Sequence, residues 1–172
     1  MKEKKIIDFS DSSEKGMWQR VNDGVMGGLS ESSLSPADDM AVFEGTVSLE
    51  NFGGFASVRS LPREFHLAGY DGLIVRARGD GKRYRLRLKT DDDFEGISYQ
   101  AIFFTDSAGW TESRLSFDEF VPVFRGSVVD GAPDIEPARI RRVGFMIADR
   151  QEGLFRLEIK EVRAYRDDRR PR

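Results

Sequence analysis

The sequence predicts an all-β fold, a sandwich of jelly-roll type or a barrel, and three observations carry that expectation. Apolar residues alternate or run through about nine short segments, and none sustains the i, i+3, i+4, i+7 spacing of an amphipathic helix. Turn residues separate the segments: Asn51 with Gly53-Gly54, Gly79-Asp80-Gly81, Asp106 with Gly109, and Gly153. The chain of 172 residues, with 13 Phe and abundant Val, Ile and Leu, fits one domain with a real hydrophobic core.

In chain order the predicted strands are 6–9, 41–50, 55–60, 73–78, 84–90, 97–104, 111–117, 143–148 and 154–165. Two short helical pieces are expected at 116–120 and at 137–142, where Pro137 suits a first turn. Residues 121–136 read as a long loop, of the kind that is often functional. The expected domain is the whole chain, 1–172, with its core at about 5–165 and a charged tail at 166–172. Around Gly79-Asp80-Gly81 the alternation predicts a hairpin. Its apolar face holds Leu73, Val75, Ala77, Tyr84, Leu86 and Leu88, and its other face holds Arg76, Arg78, Arg83, Arg85, Arg87 and Lys89.

Composition narrows the function. The 27 basic and 30 acidic side chains leave a net charge of −3, so bulk charge does not mark a nucleic-acid binder. Without cysteine there is no disulfide, thiolate metal site or cysteine nucleophile. His66 is the one histidine and is read as structural; no metal and no cofactor are expected. The N-terminal residues offer only two apolar positions, Ile6 and Ile7, before Asp8, so no secretory signal is read there. No stretch approaches the length of a transmembrane helix, and the expected location is cytoplasmic.

Four features invite chemistry. The run from Trp18 to Gly28 places Asn22, Asp23, Met26, Gly27 and Gly28 in a glycine-dense loop. It lacks the lysine and helix of a phosphate-binding loop, and a rigid turn bonded by the Asn22 and Asp23 side chains is expected instead. Arg59, beyond the Asn51–Gly54 turn, either faces an anion or pairs with a carboxylate such as Asp23. The acidic run 91–95 lacks calcium-loop spacing and reads as a solvated turn. The basic hairpin face, with Tyr99, Gln100 and Trp110 on neighbouring segments, would meet an acidic partner, an anion or a sugar. Alternatively its arginines pair across strands with Glu112, Glu158 and Asp149. No nucleophile elbow or metalloprotease motif is present, and no catalytic residue is assigned.

Several of these segments, taken in order, resemble the complex I intermediate-associated protein 30 (CIA30) family. They are Trp18, Asn22-Asp-Gly-Val-Met-Gly-Gly28, Phe43 to Asn51, Gly53-Gly-Phe-Ala-Ser-Val-Arg59, Gly79-Asp-Gly81 with Tyr84, Tyr99-Gln100, Trp110, Phe120 to Gly126, and Val143 to Ile147. The resemblance spans about residues 5–165. It implies a galactose-binding-like jelly roll, related in fold to carbohydrate-binding modules. It also implies a non-catalytic module that chaperones subunits of a multiprotein complex, with protein partners such as respiratory-complex subunits. The alternative is a carbohydrate- or small-ligand-binding module using the concave sheet face. If the motif loop is a recognition site, Asn22, Asp23, Met26, Asn51 and Arg59 are its residues.

Overall fold

The computed structural model describes residues 1–26, 28–90 and 96–169, without the side chains of Val25, Met26 and Phe52. Thirteen strands occur in chain order: β1 (Lys2–Asp8), β2 (Trp18–Arg20), β3 (Glu31–Ala37), β4 (Met40–Val47), β5 (Ala56–Ser60), β6 (Gly72–Arg78), β7 (Arg83–Lys89), β8 (Ser98–Phe104), β9 (Thr111–Ser116), β10 (Val121–Phe124), β11 (Ser127–Val128), β12 (Arg142–Ile147) and β13 (Gly153–Arg166). Only short 3-10 turns interrupt them. One is Phe117–Glu119, closed by a capping box between Ser116 and Glu119; another is Pro137–Arg139, with Pro137 in its first turn.

The strands form two sheets. The six-stranded sheet runs β3-β4-β13-β6-β9, with β1 also on β13; the seven-stranded sheet runs β11-β10-β8-β7-β12-β5-β2. All pairings are antiparallel, as expected of a jelly roll. The long β13 organises its sheet. Its first half pairs with β4, its second half pairs with β1 on the same edge, and β6 lies along the other edge, with a bulge between Ile159 and Glu161.

Alternation explains the core. Val75 and Ala77 of β6, Phe43 of β4, and Leu157 and Ile159 of β13 point inward from one sheet; Tyr84, Leu86 and Leu88 of β7, Phe103 of β8, and Val143 and Phe145 of β12 point inward from the other. Aromatic contacts bridge the layers, among them Tyr84 with Phe155 at 6.5 Å between ring centroids. The Tyr84 hydroxyl donates to Asp80 in the crossover turn, and burial, then the Asp80 charge, pushes its pKa up.

The hairpin expectation fails here. β6 and β7 never pair: Gly79-Asp80-Gly81 carries the chain from one sheet to the other. Both strands bury their apolar residues in the same core, but from opposite sides. Arg76 and Arg78 therefore face away from Arg83, Arg85, Arg87 and Lys89. The expected loop 121–136 also contains β10 and β11, which extend the edge of the seven-stranded sheet.

Candidate functional site

The glycine-dense motif builds a junction between loops. Asp23 is fully buried, and its carboxylate accepts from the Ser30 N–H and hydroxyl, at 2.9 and 2.5 Å, and from the N–H groups of Gly54 and Phe55, at 2.8 and 3.3 Å. Burial pushes this carboxyl up, but the bonds from Ser30, Gly54 and Phe55 outweigh it and hold the group below the usual carboxylate range. Asn22 performs a similar task, its Oδ1 accepting from the Ser57 N–H at 3.1 Å and the Ser32 hydroxyl at 2.7 Å. Two motif glycines make room for this. A Cβ on Gly28 would lie 2.4 Å from Asp23 Cγ, and one on Gly53 would lie 2.7 Å from Asp23 Oδ2. Asn51 takes the left-handed turn, at φ 53°, that precedes Gly53. The Asn22 and Asp23 side chains thus tie down neighbouring segments rather than their own backbone. The Met26 side chain and Gly27 lie outside the described residues.

Arg59 does not pair with Asp23. It projects from the outer face of the seven-stranded sheet, where register sets up a row: Gln19, Arg59, Gly144, Arg87, Gln100 and Val121 from β2, β5, β12, β7, β8 and β10. Adjacent rows add Arg142, Lys89 and Ser98 on one side, and Ser57, Met146, Arg85 and Ile102 on the other. The middle of this face is a packed polar layer, since Arg142, Lys89, Ser98 and Gln100 are all buried. Arg87 donates to the Ser98 hydroxyl at 3.1 Å; Arg85 donates to Gln100 Oε1 at 2.8 Å and pairs with Asp149, which Arg83 also approaches at 3.4 Å. Burial and then neighbouring cations lower the pKa of Arg59, beside Arg142 and Arg87, to about 10; burial and the Arg85 charge bring Arg87 to about 10 as well. Exposed Ile102, Phe104, Val121 and Val128 form the apolar margin toward β10 and β11.

Other expected site residues are scattered. Arg76 and Arg78 stand on the six-stranded sheet, where Arg78 pairs with Glu158 at 2.6 Å and Arg76 lies 3.8 Å from Glu161. Trp110 lies on that same side, with the Arg78 guanidinium 5.1 Å and the Lys160 ammonium 5.5 Å from its ring centroid. Tyr99 points into the core, and its hydroxyl donates to the Pro133 carbonyl at 2.9 Å. The basic stripe thus splits between two faces. Of the expected cross-strand carboxylates, Glu158 and Asp149 pair with stripe arginines, whereas Glu112 pairs with Arg163. The acidic run 91–95 lies outside the described residues. His66 is exposed in a left-handed turn, with Nε2 3.9 Å from a Glu64 oxygen.

Sequence reasoning missed that β5 and β12 supply Arg59, Arg142 and Gly144 to the face that β7 and β8 build. The signal was Gly144, a glycine inside an apolar strand, which marks close backbone approach. A Cβ there would lie 2.9 Å from the Val58 carbonyl oxygen.

A sequence profile of the family described as Complex I intermediate-associated protein 30 (CIA30) matches residues 7–159. The chain is 25% identical to the mitochondrial complex I intermediate-associated protein 30 of Mus musculus, across 94% of this chain and 56% of that protein. To its Drosophila melanogaster counterpart it is 26% identical, across 91% and 61%. The chain thus spans little more than half the length of these curated relatives. Both are named mitochondrial, which overturns the expected cytoplasmic location. Among solved structures, the family 11 carbohydrate-binding module of a Clostridium thermocellum cellulosomal cellulase has a TM-score of 0.73 at 12% identity, covering 97% of this chain and 96% of that one. At that identity the likeness is one of fold, and it agrees with the jelly roll. With the profile covering most of its length, the chain belongs to the CIA30 family.

Proposed function

We propose that this chain is a single-domain, non-catalytic binding module that acts in assembling a multisubunit protein complex, holding a protein subunit against the outer face of its seven-stranded sheet. The observation that carries this reading is the composition of that face: guanidinium groups crowded around Gly144, bordered by exposed Ile102, Phe104 and Val121. Mixed cationic and apolar surface suits a protein partner with acidic and apolar side chains. The relatives' name points the same way, toward complex I intermediates. The sugar-binding alternative draws on fold likeness, and Tyr99 and Trp110, its expected aromatic platform, stand in the core and on the other sheet.

Native-gel profiling of source cells with and without the chain tests this function. The chain should migrate with a partly built complex I, and its removal should deplete the finished complex. Unchanged complex I in its absence contradicts the proposal.

A further inference from the structure

Strand β8 outruns one of its neighbours. On one side β7 pairs with it along its whole length, Ser98 to Phe104; on the other, β10 covers only Ser98, Tyr99 and Gln100. The bond from the Thr105 N–H to the Lys82 carbonyl, at 3.3 Å, continues the β7–β8 register and fixes its phase. Hydrogen-bonded pairs alternate along an antiparallel ladder, so Ala101 and Phe103 bond toward β7 while Ile102 and Phe104 turn N–H and C=O toward the uncovered side. Among the described residues no backbone or side-chain group bonds to those outward groups. Other overhangs are capped. Gln151 accepts from the Arg83 N–H at 3.1 Å and donates to the Arg83 carbonyl at 2.8 Å, and Asp80 accepts from the Arg156 N–H at 2.9 Å. The outermost strands are blunted in other ways: β3 carries Pro36, β1 and β9 carry charged side chains, and β2 and β11 are three and two residues long. Residues 101–104 have neither charge nor proline, and Ile102 and Phe104 are 45% and 69% exposed.

We propose that this open edge of β8, residues 101–104, is where the partner subunit docks, by adding an extended apolar segment of its own as a further strand of the seven-stranded sheet. This rests on the assembly-module reading above and specifies how the subunit is held. The backbone pattern selects the occupant. Ile102 and Phe104 each offer one N–H and one C=O, and an extended polypeptide presents the matching acceptors and donors at the same repeat of roughly 7 Å. The added strand would continue the line of β10, about 4.8 Å from β8. Its residues on the outer face would sit beside Ile102 and Phe104, with Val121 of β10, 42% exposed, at one end of the row. Apolar and aromatic side chains pair well across strands with Ile and Phe, so the segment should carry them at alternate positions. Its arrival also takes the Ile102 and Phe104 side chains out of water.

Proline substitution and amide exchange test the edge, with partly built complex I from source cells as the probe. At Ile102 a proline removes an N–H that points away from β7, a place where edge strands tolerate it, so the fold should persist. Ile102→Pro should reduce co-migration with the partly built complex on native gels by roughly tenfold. Ile102→Val, which keeps the N–H and the apolar surface, should leave it unchanged. A folded Ile102→Pro that co-migrates at the wild-type level overturns the proposal. If that variant does not fold, amide exchange of the wild type decides. The Ile102 and Phe104 amides should exchange fast in the free chain and slow by roughly tenfold in the isolated complex, while those of Ala101 and Phe103 stay slow in both. Unchanged exchange at Ile102 and Phe104 in a chain that does co-migrate overturns strand addition and leaves the assembly reading standing; absence of co-migration removes both. A sedimenting dimer that Ile102→Pro converts to monomer assigns the edge to a second copy, which also overturns the partner claim.

Discussion

Gly28 and Asp23 touch across the motif turn so closely that a side-chain carbon on Gly28 would sit 2.4 Å from the Asp23 Cγ. The same carboxylate receives the Gly54 N–H at 2.8 Å from a segment 31 residues further on. The aspartate and the glycines of the two motifs are therefore parts of one device. It clamps the start of β5 to the loop before β3, and β5 carries Arg59 to the outer face.

Replacing Asp23 with Ala should strand the donors of Ser30, Gly54 and Phe55 in a buried site. The expected loss is about 3 kcal/mol, roughly 1 kcal/mol per bond. In a domain of this size that lowers the melting temperature by about 6–12 °C. A thermal melt of Asp23→Ala beside wild type measures it, and an unchanged melting temperature would remove the clamp from the explanation.

Acid should release the same clamp. Asp23 has a folded-state pKa below its ordinary 3.8. A depressed carboxyl contributes stability that is fully present above the unfolded-state value and is lost as pH falls through the folded-state value. Wild type should therefore lose stability below about pH 4, and Asp23→Asn, which cannot ionise, should show a flatter decline. Urea unfolding from pH 6 to pH 3 gives both curves; parallel curves would show that other groups govern the acid response.

Asp149 provides a test of the proposed docking face. It is the carboxylate that pairs with Arg85 at the margin of the cationic face. Asp149→Asn should raise the face's positive charge and tighten its hold on the partly built complex by about threefold, a shift of roughly 0.7 kcal/mol within the usual range for partly exposed pairs. Co-migration of wild type and variant with the partly built complex on native gels reads the change, and a weaker association would place the partner elsewhere.

Trp110 and Tyr99 should prove irrelevant to that binding. Trp110→Ala removes the surface beneath Arg78 and Lys160 on the opposite sheet. Tyr99→Phe removes one bond, to Pro133, at a cost of about 1 kcal/mol. Neither change should alter association with the partly built complex, and a loss with either would revive the aromatic platform expected from the sequence.

The nine strands expected from alternation all occur, because a strand that buries one face writes that face into its sequence. The four missed strands carry a weaker signal. β3 reads Glu-Ser-Ser-Leu-Ser-Pro-Ala and is an edge strand with little apolar content, while β2 and β11 are only three and two residues long. Pairing was the harder problem. Leu73, Val75 and Ala77 announce a buried face, and so do Tyr84, Leu86 and Leu88, but two layers of a sandwich bury such faces toward one another as readily as neighbours in a hairpin do. Placing six basic residues together followed from choosing the hairpin. Half of the site was legible in Arg85 and Arg87. Arg142 and Gly144 were not, since only the sheet order brings β12 beside β7.

The most direct test of the central claim is a map of where the partner subunit lands. A photo-reactive residue placed in turn at exposed Ile102, Phe104 and Val121, on the outer face of the seven-stranded sheet, and at Arg76 and Arg114, on that of the six-stranded sheet, provides it in cells that build complex I. The expected result is cross-linking to an assembling subunit from Ile102, Phe104 and Val121. Cross-links gathered instead at Arg76 and Arg114 would contradict the claim.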